Sequence, residues 1–184
     1  MKKGIAGIQD NHKQEIEMGL EHQFLYISSD KYSDDIWRNI HYHPLRLENE
    51  RVSELDYVDI HDDLLRYFHD YFVWIKLYNP AKKEGEYVNG FCYWGITKIY
   101  GDALLQMKNI IDGLLTIFSN APDMIKLRGG YVFEIDDDGK IDDKNSYYDK
   151  IYVEKDKLIG IFRKLNTLIE KAAENGDYIL HLGI

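Results

Sequence analysis

The stretch GDALLQMKNIIDGLLTIFS, residues 101–119, and the stretch MIKLRGGYVFEI, residues 124–135, decide the class of this chain between them. In the first, Ala103, Leu104, Met107, Ile110, Ile111, Leu114, Leu115 and Phe118 recur at steps of three and four. That spacing lays them along one face of an α-helix. Thr97 and Asp102 are candidate caps for its start, and Asn120, Ala121 and Pro122 stop it, since proline disfavours helical geometry in the residue before it. In the second stretch the period changes to two. Ile125, Leu127, Tyr131, Phe133 and Ile135 alternate with Lys126, Arg128, Val132 and Glu134, the pattern of a half-buried strand. Gly129-Gly130 interrupts it and marks a bulge or a close backbone approach.

Working outward, Asp138-Gly139 is a turn signal inside a polar hairpin loop, and a second strand follows at Tyr147 to Val153. A helix over Glu154 to Glu174 carries the stripe Leu158, Ile159, Phe162, Leu165, Leu168, Ile169, Ala172 and Ala173. Asn175-Gly176 ends it, because glycine accepts the left-handed conformation. Tyr178 to Leu182 reads as a closing strand. With Val88 to Trp94 as a further strand, the C-terminal half reads β-α-β-β-α-β, the ferredoxin-like order. The expected fold is therefore α+β: a mixed or antiparallel sheet with two to four helices packed on it.

The N-terminal half is less regular. Ile60, Leu64, Phe68, Phe72 and Ile75 predict a helix over Asp59 to Val73, with Asp56 or Asp59 as its cap. Phe24 to Ile27 and Leu45 to Val52 are candidate strands, and Ser33 to Ile40 is a candidate short helix carrying Trp37. The 184 residues suit one domain over 1–184. Asn79-Pro80 and the turn through Gly85 are the best boundary between possible sub-lobes 1–80 and 85–184.

Composition narrows the function classes. The net charge of −9 repels nucleic acid and anionic membranes and favours encounter with a basic protein. A lone cysteine, Cys92, excludes an intramolecular disulfide scaffold and reads as a small buried hydrophobe. The N-terminal apolar run is too short for a signal-peptide core, and no stretch reaches the ~18 apolar residues of a membrane helix, so the expected location is the cytoplasm. No motif identifies a known family, and neither a cofactor fingerprint nor a nucleophile motif is present. The expected cofactor is none.

Three constellations remain. Glu134 to Asn145 resembles a calcium loop of the EF-hand type, with Asp136, Asp138 and Asp142 on ligand positions and Gly139 on the turn. The resemblance fails at both ends: Glu134 stands where aspartate belongs, and Asn145 cannot supply the bidentate carboxylate. Histidines form the second group. His41, His43, His61 or His69 with a nearby aspartate would make an acid–base site for a small enzyme. The third is an excess of aromatic residues, 14% of the chain with 15 tyrosines, interleaved with acids. Rigid rings supply contact area at low entropy cost, and carboxylates steer a cationic partner. The expected contacts are Asp136, Asp137, Asp138, Asp142, Asp143, Tyr147 and Tyr148 on one loop, and Asp62, Asp63, Asp70 and Tyr71 on the helix near residue 65.

These features lead to the expectation of an acidic protein-interaction domain. Bacterial immunity proteins, which neutralise a basic toxin such as a nuclease, have this general character. The alternatives are the His/Asp enzyme and a regulatory module that binds a peptide along a sheet edge. The sequence leaves monomer and homodimer open.

Overall fold

Six short, alternating segments pair into one antiparallel sheet: β1 (Glu21–Ile27), β2 (Tyr57–His61), β3 (Lys76–Asn79), β4 (Glu86–Asn89), β5 (Ile96–Ile99) and β8 (Tyr178–Leu182). Their order is β2-β1-β8-β5-β3-β4, and every neighbouring pair is antiparallel. The computed structural model describes residues 20–32, 36–39, 56–82, 86–135, 139–141 and 146–184. The helices are α1 (Ile36–Asn39), α2 (Asp62–Phe72), α3 (Asp102–Ser119) and α4 (Lys155–Asn175). β6 (Met124–Val132) and β7 (Tyr147–Glu154) form a separate two-stranded sheet. The architecture is α+β. Among the described residues no helix is long and apolar enough to cross a membrane.

Strand alternation sorts the side chains into two cores. Phe24, Val58, Ile60, Ile99 and Ile179 face α2, α3 and α4. Phe68 of α2, Phe118 of α3 and Phe162 of α4 meet there, Phe68 lying edge-on to Phe118 at 5.5 Å and to Phe162 at 5.4 Å between ring centroids. Leu25, Ile27, Ile96, Tyr178 and Leu180 turn to the other face, where Ile36 of α1 joins them. Most of the predicted helical stripes is buried, Leu104, Met107, Ile111 and Leu114 on α3 and Leu158, Phe162, Leu165 and Ile169 on α4 among them, while Ile159 is half-buried and Ala173 is exposed.

Three expectations shift. The chain order β5-α3-β6-β7-α4-β8 is β-α-β-β-α-β. Its first strand is Ile96–Ile99, however, and Phe91 to Gly95 is a loop, because Gly90 at φ 74° ends β4 and Cys92 N–H turns back to donate to Thr97 Oγ1 at 2.7 Å. The pairing of β5 with β8, first strand beside last and antiparallel, suits a ferredoxin sheet, but β6–β7 depart from it by standing apart as a two-stranded sheet of their own. In the N-terminal half, Val58 and Ile60 belong to β2, since they alternate with Tyr57, Asp59 and His61. α2 starts at Asp62, with the His61 ring accepting the Asp63 N–H at 3.2 Å as its cap. Asp59 instead accepts from Gln23 Nε2 at 2.9 Å across the β1–β2 pair. The expected turn at Asn79-Pro80 joins β3 to β4 as a hairpin. Leu45 to Val52 lies outside the described residues.

Candidate functional site

The two features with functional chemistry are a hairpin arm and a buried chain of histidines. The arm is β6–β7. At its base Ile125, Leu127 and Val153 are buried and join the main core. The ladder then shifts register between Arg128 and Tyr131, the bulge that the glycine pair foretold. At Gly129 a Cβ would stand 3.2 Å from the Asp149 backbone, so the strands close up where a side chain would hold them apart.

Beyond the bulge the burial pattern changes. Tyr131, Val132, Phe133, Tyr147 and Tyr148 are all exposed, and Phe133 and Tyr147 keep 47% and 57% of their surface in solvent. Successive residues on a strand point to opposite faces, so Tyr131 and Val132 leave both sides of the arm apolar and uncovered. The rings form a connected surface: Tyr131 lies 5.0 Å from Tyr148 and 6.1 Å from Phe133. The Arg128 guanidinium sits 3.4 Å from the Tyr148 ring centre. Past Ile135 and Ile141, which bridge the strands, the sequence carries Asp136, Asp137, Asp138, Asp142 and Asp143, all outside the described residues. The calcium candidates Asp136, Asp138 and Asp142 are among them. Among the described residues no group of three histidine, cysteine or carboxylate side chains is placed to hold a metal.

On α2 the structure separates the second predicted group. Asp63, Asp70 and Tyr71 lie outward, Tyr71 edge-on to Trp74 at 5.6 Å. Asp62 turns inward, with 14% of its side chain exposed, and its Oδ1 accepts from His22 Nε2 at 3.2 Å.

His22 opens the second feature. It is fully buried on β1, and its Nδ1 lies 3.0 Å from Nε2 of the equally buried His181 on β8. The two rings stack at 5.2 Å and 9°. Phe24 and Phe91 each pack 4.8 Å from His181, while Tyr93 lies edge-on 4.8 Å from His22 and 5.9 Å from His69. His181 Nδ1 and Tyr93 Oη are buried without a hydrogen-bond partner. Burial holds the His181 imidazole well below its ordinary 6.5, and the neighbouring His22 and His69 push it the same way. Burial also lowers His22, against the pull of the Asp62 carboxylate.

Of the histidines expected at an acid–base site, His61 caps α2 and His69 lies beside Tyr93, while His41 and His43 lie outside the described residues. The histidines that do converge, His22 and His181, sit in apolar strand runs. A histidine within the apolar runs HQFLYI and YILHL is the local sign of each, since neither run alternates. As arranged, the two rings are joined to each other and, through His22 Nε2, to the Asp62 carboxylate. With both rings at 0% exposure they offer no surface to a substrate. A groove of about 150 Å³ opens elsewhere, between α3 and α4, and is lined by Leu104, Leu105, Ile169 and Ala173 together with Lys108, Glu170 and Glu174, without a histidine.

No protein-family model, curated protein or solved structure matches this chain.

Proposed function

We propose that this chain is an acidic protein-interaction domain that docks a basic protein through the β6–β7 arm. One observation carries the reading: beyond its bulge the arm exposes a connected set of rings, Tyr131, Phe133 and Tyr148, on one face, and leaves Val132 and Tyr147 exposed on the other. A two-stranded hairpin alone in water is marginal, and a contiguous exposed apolar surface is the signature of a contact site. The charge selects the kind of contact. Three aspartates lie in sequence between the bridge residues Ile135 and Ile141 and two follow Ile141, and the chain carries −9 overall. A second copy would bring the same charges and be repelled, whereas a cationic surface is attracted. Arg128 stacked on Tyr148 illustrates the chemistry, since an aromatic face that holds an internal guanidinium suits a partner's arginines.

The narrower form of the proposal is a cytoplasmic immunity-type inhibitor that covers the phosphate-binding cleft of a toxin. Salt-dependent capture tests both forms. Immobilised protein, presented to extracts of its native cells, is expected to retain a basic protein at low salt and release it at about 0.5 M. The Tyr131→Ser/Tyr147→Ser/Tyr148→Ser variant is expected to retain none. Equal capture by both proteins, or capture of acidic proteins only, would count against the arm. Stoichiometric inhibition of a captured nuclease would single out the narrower form. The peptide-binding alternative draws on β4, which lies at the sheet edge with Glu86, Tyr87 and Asn89 exposed, and it predicts capture that survives the arm substitutions.

A further inference from the structure

Proton chemistry inside the sheet is independent of the arm. We propose that His22 and His181 form a proton-operated latch. With the pair hydrogen-bonded, the loop 91–95 is held closed over the end of the sheet; with both rings protonated, the loop is released.

The geometry fixes the hydrogens. Phe24 on β1 faces His181 on β8 in the register, so His22, two residues earlier, shares that face and meets His181 on the diagonal. Asp62 Oδ1 accepts, so His22 Nε2 carries a hydrogen. A neutral His22 then offers Nδ1 as a lone pair, and His181 Nε2–H donates to it across 3.0 Å. His181 Nδ1 is left bare against Phe91 and Phe24. A bare lone pair is the cheaper orphan. The reverse assignment would bury an N–H without an acceptor.

Acid attacks this arrangement twice. The first proton on His181 Nδ1 creates a buried charge and an unpartnered donor. Among the described residues, the titratable and polar groups facing the pair are Asp62 and His69 from α2, Tyr93 from the loop and Thr97 from β5. Thr97 already accepts from Cys92 N–H, and His69 adds like charge when protonated. A proton on His22 as well sets two N–H groups against each other where one must accept, and the 3.0 Å contact cannot survive.

The contact is wired to the loop. Gly183 N–H, two residues past His181, donates to Gly95 O at 2.6 Å, and Ile184 N–H donates to Tyr93 O at 3.1 Å. A Cβ on Gly183 would stand 2.7 Å from Cys92 O, so loop and strand end are pressed together there. The ring of Tyr93 covers His22 from the same loop. Separating the histidines therefore moves the end of β8, the loop and the Tyr93 ring together, and water reaches the dyad.

Amide hydrogen exchange, corrected for the intrinsic rate, reads the latch. Between about pH 7.5 and about pH 5, protection of residues 92–95 and 183–184 is expected to fall at least about tenfold while Met107 and Leu165 keep theirs. Unchanged loop protection, or parallel loss in α3 and α4, would overturn the proposal. His181→Gln offers an N–H to His22 Nδ1 when that nitrogen is bare and can turn its amide oxygen to it when it is protonated, and it takes up no proton itself. It is expected to match wild-type protection at about pH 7.5 and to lose the pH dependence, and a persisting dependence would overturn the latch. If that variant does not fold, imidazole NMR of the wild-type protein decides. His22 and His181 are expected to titrate below 6.5 in step with the loss of loop protection, and titration at or above that value overturns the idea.

Discussion

Replacing Asp177 by alanine isolates the junction that ties α4 and β8 to the start of the sheet. Asp177 is 7% exposed and follows Gly176, whose left-handed φ of 72° ends α4. Its Oδ1 accepts the Ser29 N–H at 2.8 Å, and its Oδ2 accepts the Tyr26 hydroxyl. Burial pushes the carboxyl up, but the Tyr26 and Ser29 donors, with Lys171 nearby, outweigh it and hold the group below its ordinary 3.8. A hydrogen bond to a charged acceptor contributes about 1.5–3 kcal/mol. Tyr26 is half-buried and its hydroxyl regains some water in the variant, so Asp177→Ala should cost about 2–4 kcal/mol. Asp177→Asn keeps an oxygen for Ser29 and should cost about half as much. With a urea m-value of about 2 kcal/mol/M, the midpoint should fall by about 1–2 M for alanine and less than about 1 M for asparagine. The folded-state pKa is depressed, so this stability is present above 3.8 and lost as pH falls through the folded value. The alanine variant should lack that acid limb. A midpoint within about 0.3 M of wild type would refute the reasoning.

Three further outcomes are expected. Both buried histidines have folded-state values below 6.5, so the unfolded chain takes up protons first and stability declines as pH falls below that point. The slope should reach at most about 1.4 kcal/mol per pH unit for each ring, and urea midpoints that stay flat between about pH 7.5 and 5.5 would contradict it. Phe162→Ala removes a ring 1% exposed that Phe68 and Phe118 share, and calorimetry should show a loss of about 3–5 kcal/mol; a loss under about 2 would mean the helices repack without it. Phe133→Ser on the arm should change stability by less than about 0.5 kcal/mol, which circular dichroism melts will check, because a ring left in solvent adds little to folding.

Long periodic elements were legible from the residues alone. The bounds of α3 and α4 fall within a residue or two of the periodic runs, because eighteen- and twenty-one-residue stripes leave little ambiguity of phase. Four-residue strands gave no such signal. Ile96 to Ile99 reads only as two apolar residues around Thr97 and Lys98, and its place in the sheet depends on β8 and β3, both distant in sequence. For the candidate site, the glycine bulge and the tyrosines of the arm were visible in the sequence, since an aromatic run interleaved with acids is a composition signal. The pairing of His22 with His181 was not, because it is made by two strands 159 positions apart whose adjacency no local pattern records.

The place of β8 has a consequence for how the chain is made. It is the last strand in sequence, yet it lies third in the sheet, and β1–β2 on one side meet β5–β3–β4 on the other only through it. During synthesis the two halves must wait, each with an open edge, until residues 178–182 have been polymerised and threaded between them. This layer therefore cannot be completed before every other described strand in it has been made. Any factor that shields unpaired edges would act on it in that interval.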